Sequence, residues 1–420
     1  MKKVDVLILG GGIAGLGAHM SATSKGRSAE IFEKKSSAGG LLDNFKVGGF
    51  RFDNAVHLSF ATEPEVRAVF DKTPYFTHPA DSLNFEKDKW LKHPVQNNLY
   101  PLDAEEKVEL ITSLIDRDKN EPGDNYESWL RHQYGDAIAE RYPMKYTRKY
   151  WQTEAKELST AWIGNRMRRA DLAEILHGAF TSETPNTYYT KEMRYPKKGG
   201  YRAFIDSLIN DAEINCSKEA VFICMDTKVV QFACGESVQF ESLVNTLPLP
   251  IFVEICVQAP QNVVEAAKEL SCTSIDLISV GFSEIVAQDL WFYIYDEDMY
   301  ASRAYSPSVK SPDNAPEGCS SLQFEIYNGG RNSQYTPDQL IENVRYSLKK
   351  MNISDGKNIL FAEHKHLPWG NVVFDKKLEG NRKVVLDFLS ACGIYTCGRF
   401  GLWEYFWSNQ AFMSGYTLKL

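Results

Sequence analysis

The residues with the most chemical content near the start of the chain are glycines. Gly10, Gly12 and Gly15 have the spacing G-x-G-x-x-G. An apolar run at 4–9 precedes them and a stretch of small residues at 13–24 follows, which reads as a strand, a turn and a helix. Gly10 then permits the tight turn, Gly12 lets a pyrophosphate approach the backbone, and Gly15 lets helix and strand close on each other. The free N–H groups and dipole at the helix amino terminus favour phosphate oxygens. Glu33 ends the next apolar run, at 29–33, where an acid can accept hydrogen bonds from both ribose hydroxyls. Together these features specify a dinucleotide site on an amino-terminal βαβ unit.

A second glycine pair, Gly39-Gly40 followed by Leu41, comes soon after the acid. Near the other end stands Cys397-Gly398-Arg399-Phe400-Gly401, then Tyr405 and Asn409-Gln410 ahead of a helix. Arg399 lies between glycines and aromatics. An arginine there needs a partner, because an unpaired buried charge is costly.

The elements that must position these residues follow from periodicity. Residues 103–117 carry apolar side chains at Val108, Ile111, Leu114 and Ile115, a helical rhythm that continues through 127–162. Shorter apolar or alternating runs at 220–225, 229–233, 243–246, 275–282, 290–295 and 322–327 read as strands, and 337–351 as a helix. The Pro-, Ser- and Asn-rich segment 306–318 reads as a mobile loop.

Composition narrows the class. The 420 residues are 43% hydrophobic and 24% charged, with a net charge of −8. That balance argues against a nucleic-acid partner, which favours a basic face. The eight cysteines form no CxxC pair and the histidines show no metal-ligand spacing, so reduced thiols in a cytoplasmic, metal-free protein are expected. Asp5 and the glycine pattern argue against a signal peptide, and no run is long enough to span a bilayer.

The Gly39-Gly40 pair resembles the flavin-binding extension of the amine oxidase, protoporphyrinogen oxidase and phytoene desaturase group, which implies FAD. A narrower resemblance is carried by blocks in the same order along nearly the whole chain. GRFGLWEYFWSNQ at 398–410 is similar to the eukaryotic UDP-galactopyranose mutases. So are HPVQNNL at 93–99, Tyr146 with Trp151, WIGNR at 162–166, YPKKGG at 195–200, WFY at 291–293 and Arg303 followed by Tyr305-Ser306-Pro307.

In that family reduced FAD acts as a nucleophile toward the anomeric carbon of a nucleotide sugar, and a pyranose is exchanged for a furanose without net redox change. The resemblance assigns Arg166 and Arg303 to the diphosphate, with Tyr293 and Tyr405 as hydroxyl donors. It places Arg399 beside flavin and sugar, and His57 on a loop facing the flavin ring. Gln96, Thr147 and Trp151 fall at substrate-side positions. Gly398, Asn409 and Gln410 fall at flavin contacts, and Val221 at a backbone contact to adenine. A nucleotide-sugar substrate is implied, and the resemblance leaves room for NAD(P)H as reductant and for a homo-oligomer.

The departures lie on the sugar and phosphate side. The family's GGH is Ala55-Val56-His57, the asparagine of its helical pattern is Thr147, the tyrosine before QNN is His93, and a late tyrosine is Trp369. With Leu41 in place of a usual arginine, they keep open a flavin oxidoreductase or desaturase, and less readily a flavin binder without turnover. The expected architecture is α/β, with a discontinuous Rossmann-like FAD-binding domain (1–80, 188–270 and 358–420). An inserted helical domain (99–187) and a small antiparallel-sheet domain (81–98 and 271–357) complete it.

Overall fold

The computed structural model describes residues 1–118, 120, 122–164, 167, 171–185, 192–286 and 289–420. The strand Lys2–Leu9, the helix Ile13–Ser24 and the strand Ala29–Phe32 form the expected βαβ unit. Lys2–Leu9 also pairs in parallel with Ser237–Asn245, and Ala29–Phe32 with Ile214–Asn215. Ala220–Cys224 and Val229–Phe232 extend the sheet antiparallel, and Tyr395–Thr396 joins it in parallel to complete seven strands. Val6, Leu7 and Ile8 are fully buried, as a strand covered on both faces requires.

The second sheet is as large as the first, not small. Its seven strands run in the order Ile359–Leu367, Thr273–Phe282, Ser320–Gly329, Arg303–Tyr305, Trp291–Ile294, Leu83–Glu86 and Lys89–Lys92. Ile359–Leu367 pairs antiparallel with Thr273–Phe282 and so belongs to this sheet rather than to the flavin-domain segment in which the sequence reading put it. Alternation divides the sheet's faces. Leu322, Phe324 and Ile326 join a buried cluster with Leu340, Val344 and Leu348 of the helix Pro337–Lys350. Tyr327, Trp291, Tyr293, Arg303, Ile275 and Leu367 line a cavity on the other face.

The helical lobe comprises Ala104–Ile115, Tyr126–Ala139, Lys145–Trp151 and Leu172–Phe180. In the first of these Leu110 and Leu114 are buried, whereas Val108 and Ile115 are exposed. Ile111 packs against the same core as Leu114, so periodicity found the helix and half of its buried stripe. Residues 306–318 are not a loose loop. They form a helical turn, Pro307–Lys310, and a 3₁₀ turn, Pro312–Asn314, with Ser306, Lys310, Ser311 and Asn314 fully buried. The Lys310 ammonium is 2.9 Å from the buried Asp53 carboxylate, and that ion pair draws the segment inward against its composition.

Candidate active site

A cavity of about 880 Å³ lies between the two sheets. One end is the glycine turn. A Cβ on Gly15 would sit 2.1 Å from the Gly10 carbonyl oxygen, so that position admits only glycine. A Cβ on Gly40, whose φ is +59°, would meet the Gly12 Cα at 3.0 Å. The two glycine segments thus pack backbone to backbone and leave a cradle without side chains. Glu33 is buried beside it, accepting hydrogen bonds from the N–H groups of Gly11 (2.7 Å) and Lys35 (2.9 Å).

Gly10, Gly12, Glu33, Gly39, Gly40, Leu41 and Gly398 line the cavity. Gly15 supports the turn from behind. Val221 is 46% exposed and its neighbour Ala220 lines the wall instead. Asn409 donates to Glu63 (2.8 Å), and the Gln410 side chain caps its own helix at the Trp407 N–H (2.9 Å). Ser408 and Ala411 line the cavity in their stead.

The other end is built by strand register. Tyr293 pairs with Arg303, and Arg303 with Glu325, across three neighbouring strands. Their side chains therefore stand in one row. Arg303 Nε donates to Glu325 Oε2 (2.6 Å) and Arg303 Nη2 to the Tyr327 hydroxyl (3.2 Å). The Glu325 carboxylate also accepts from the Tyr327 hydroxyl (2.8 Å) and the Val56 N–H (2.7 Å). Burial opposes the charge on Arg303, but the adjacent Glu325 carboxylate holds it well above its ordinary pKa.

Arg399 comes from the turn after Tyr395–Thr396. Its guanidinium donates to the carbonyls of Phe406 (3.1 Å) and Gly370 (3.2 Å) and to Asn371 Oδ1 (2.8 Å). No carboxylate among the described residues pairs with it. The two arginines flank one tyrosine pair: Arg303 lies 5.5 Å from the Tyr150 ring, Arg399 5.0 Å from the Tyr405 ring, and the two hydroxyls are 2.8 Å apart. Burial pushes Tyr146, Tyr327 and Tyr405 well above the ordinary tyrosine range, so all three stay protonated donors at neutral pH. Arg399 Nε, Asn371 Nδ2 and the Tyr146 hydroxyl are buried without a partner among the described residues.

His57 also lines the cavity. Its Nε2 is 3.0 Å from the carbonyls of both Leu41 and Asn54, so that nitrogen carries the proton. Burial holds the imidazole below its ordinary pKa, partly offset by Asp53. Ala55, at the family's glycine position, keeps a glycine-like φ of +75°.

Arg166 lies outside the described residues. Trp151 packs behind Tyr405, with ring centres 5.4 Å apart, and does not reach the cavity. Thr147 is buried and its hydroxyl donates to the Pro143 carbonyl (2.7 Å). Gln96 sits half-buried on the 3₁₀ turn Val95–Asn97, away from the lining. Sequence reasoning missed Tyr150, Glu325, Asn371 and Arg331, all of which line the cavity or hold a residue that does. Glu325 had a signal, as a lone charge in an apolar alternating run. Arg331 had none, because it follows a glycine pair in a loop.

This is a two-sheet Rossmann-type fold with an inserted helical lobe, a fold shared with solved structures of a putative protoporphyrinogen oxidase and a putrescine oxidase. Residues 8–73 match the NAD(P)-binding Rossmann-like domain family. Among solved structures, a reduced UDP-galactopyranose mutase superposes with a TM-score of 0.91 at 23% identity, over 99% of this chain and 93% of that one. A putative protoporphyrinogen oxidase from Exiguobacterium sp. 255-15 gives 0.75 at 16% identity, over 99% and 97%. A 1-hydroxycarotenoid 3,4-desaturase of Flavobacterium sp. is 47% identical over 53 residues, 13% of this chain and 10% of that protein. A probable FAD-binding monooxygenase, AlmA, of Acinetobacter sp. is 46% identical over 123 residues, 23% and 24% respectively. The chain thus spans a quarter or less of the length of these curated relatives.

Proposed function

We propose that the chain is an FAD-dependent pyranose–furanose mutase acting on a nucleoside-diphosphate sugar such as UDP-galactopyranose. The cofactor is FAD. The glycine cradle, with Glu33 beside it, suits its pyrophosphate and ribose, and the cavity leaves room beyond for the ring and a substrate. The observation that carries the substrate class is charge. Among the described lining residues only Glu33 and Glu219 are acidic, both near the ribose end, where the Lys218 N–H bonds the Glu33 carbonyl. The opposite end presents Arg303, Arg331 and Arg399 with no lining carboxylate. Such a wall suits a diphosphate and disfavours an amine cation.

When bound and reduced, the flavin supplies the nucleophilic centre for the anomeric carbon. The chain's own groups do the rest. Arg303 and Arg399 hold the leaving diphosphate near the ring while the sugar reorganises, and their fixed guanidinium forks are already oriented. The Tyr405 and Tyr293 hydroxyls donate hydrogen bonds to the same oxygens and keep their protons. The surrounding aromatic rings exclude water, which protects the sugar from hydrolysis.

The test is a UDP titration followed by flavin fluorescence. Arg303→Ala and Arg399→Ala should each weaken UDP binding by about tenfold or more, with FAD content unchanged. Unchanged UDP affinity in both variants would defeat the proposal. A flavin oxidoreductase is the second reading, favoured by the desaturase and monooxygenase matches.

A further inference from the structure

Arg331 belongs to none of the sequence blocks that pointed to the site, yet it lines the cavity. Its guanidinium lies 5.4 Å from the centre of the Trp369 ring, and it has no carboxylate partner among the described residues. Trp369 is the residue before Gly370, whose carbonyl accepts from Arg399. The two guanidiniums therefore approach one short segment, 369–371, where the Asn371 amide nitrogen is buried and unpartnered.

An exposed arginine on a loop would ordinarily sample many positions. This loop is tied down from inside. The His366 ring places Nε2 2.8 Å from the Arg331 carbonyl oxygen and Nδ1 2.8 Å from Asp276 Oδ1. Asp276 is fully buried and also takes His364 Nε2 (2.8 Å) and Asn328 Nδ2 (2.8 Å). The Gln334 N–H returns to Asn328 Oδ1 (3.1 Å), which fixes the far side of the loop. A buried aspartate thus holds, through one histidine, the backbone that carries Arg331. Stacking on Trp369 restricts the side chain further.

The charges at this end do not balance without a ligand. Arg303 is matched by Glu325 from behind the cavity wall. Arg331 and Arg399 are left over. We propose that Arg331 and Arg399 form an oxyanion subsite around Trp369 that binds a phosphate or a sugar carboxylate of the nucleotide sugar. This deepens the mutase reading and rests on it. It adds Arg331 as a binding residue and makes the ligand's charge at this end a determinant of specificity.

The experiment titrates FAD-loaded wild type, Arg331→Ala and Arg331→Lys by calorimetry with UDP, UDP-glucose, UDP-glucuronate and inorganic pyrophosphate. Because Arg331 is exposed, the variants should fold and keep FAD. Loss of about tenfold or more in affinity for UDP and both sugars in Arg331→Ala assigns the oxyanion to a phosphate. The same loss for UDP-glucuronate alone assigns it to a sugar carboxylate. The lysine variant should recover part of either loss, since it keeps the charge but not the fork. Affinities within about twofold of wild type for every ligand would overturn the subsite. If wild type bound no nucleotide, the mutase reading would fall. In that case pyrophosphate binding that Arg331→Ala abolishes would still support the subsite, whereas binding of neither nucleotide nor pyrophosphate would sink both.

Discussion

Replacing Glu325 with glutamine tests whether the arginine wall is held by charge. The carboxylate is fully buried and accepts three hydrogen bonds, from Arg303 Nε, the Tyr327 hydroxyl and the Val56 N–H. Glutamine keeps the shape but turns one acceptor oxygen into a donor, which then faces a donor. It also leaves the Arg303 guanidinium, 20% exposed, without a counterion. Breaking a buried pair from one side costs about 3–5 kcal/mol, and the conserved shape puts this change near the lower figure. Unfolding entropy of about 2.1 cal/mol/K per residue makes about 3 kcal/mol worth roughly 3 °C in a chain this long. A diphosphate should restore the counterion, so UDP should raise the melting temperature of Glu325→Gln more than that of wild type. Thermal melting of the FAD-loaded proteins with and without UDP measures both effects. Equal melting temperatures and equal UDP shifts would refute the coupling of Glu325 to the ligand site.

Three other outcomes follow from the same contacts. Gly15→Ala places a methyl 2.1 Å from the Gly10 carbonyl and should abolish FAD retention, read from the flavin absorbance of the purified protein. Tyr405→Phe leaves the Tyr150 hydroxyl, among the described residues, with its 3.4 Å contact to Asn371 and should cost about 1 kcal/mol in denaturant titration, with UDP bound more weakly. For Asp276, burial alone would raise the pKa, but hydrogen bonds from His364, Ser333, His366 and Asn328 outweigh it and lower the carboxyl from 3.8 to about 2. A depressed folded pKa gives stability that is present above the unfolded value and lost as pH falls through the folded one. About 2 kcal/mol should therefore disappear between roughly pH 4 and pH 2, and Asp276→Asn should flatten that limb of a stability-versus-pH curve.

The glycine-cradle half of the cavity was legible because its geometry is local. A glycine turn, a helix start and an acid lie within 33 residues, and each is dictated by backbone geometry that few sequences satisfy. The arginine wall is assembled by register between neighbouring strands, which no local motif announces. Tyr293, Arg303 and Glu325 meet only because three strands align, and only family resemblance pointed to the first two. Arg331 was invisible, since nothing local to a loop after two glycines says that a buried Asp276 and His366 will hold it. The error over 306–318 has the same origin. Serine, proline and asparagine read as solvent-facing, but the Lys310–Asp53 pair and hydrogen bonds such as Asn314 Nδ2 to the Pro307 carbonyl (2.9 Å) satisfy them internally.

Product analysis after incubation with UDP-galactopyranose, with the enzyme-bound flavin either reduced or oxidised, separates a mutase from an oxidoreductase. A mutase should give a furanose product from the reduced enzyme alone, formed over many turnovers while the flavin stays reduced. No furanose, or a product that appears only in step with flavin oxidation or reduction, would contradict the mutase reading.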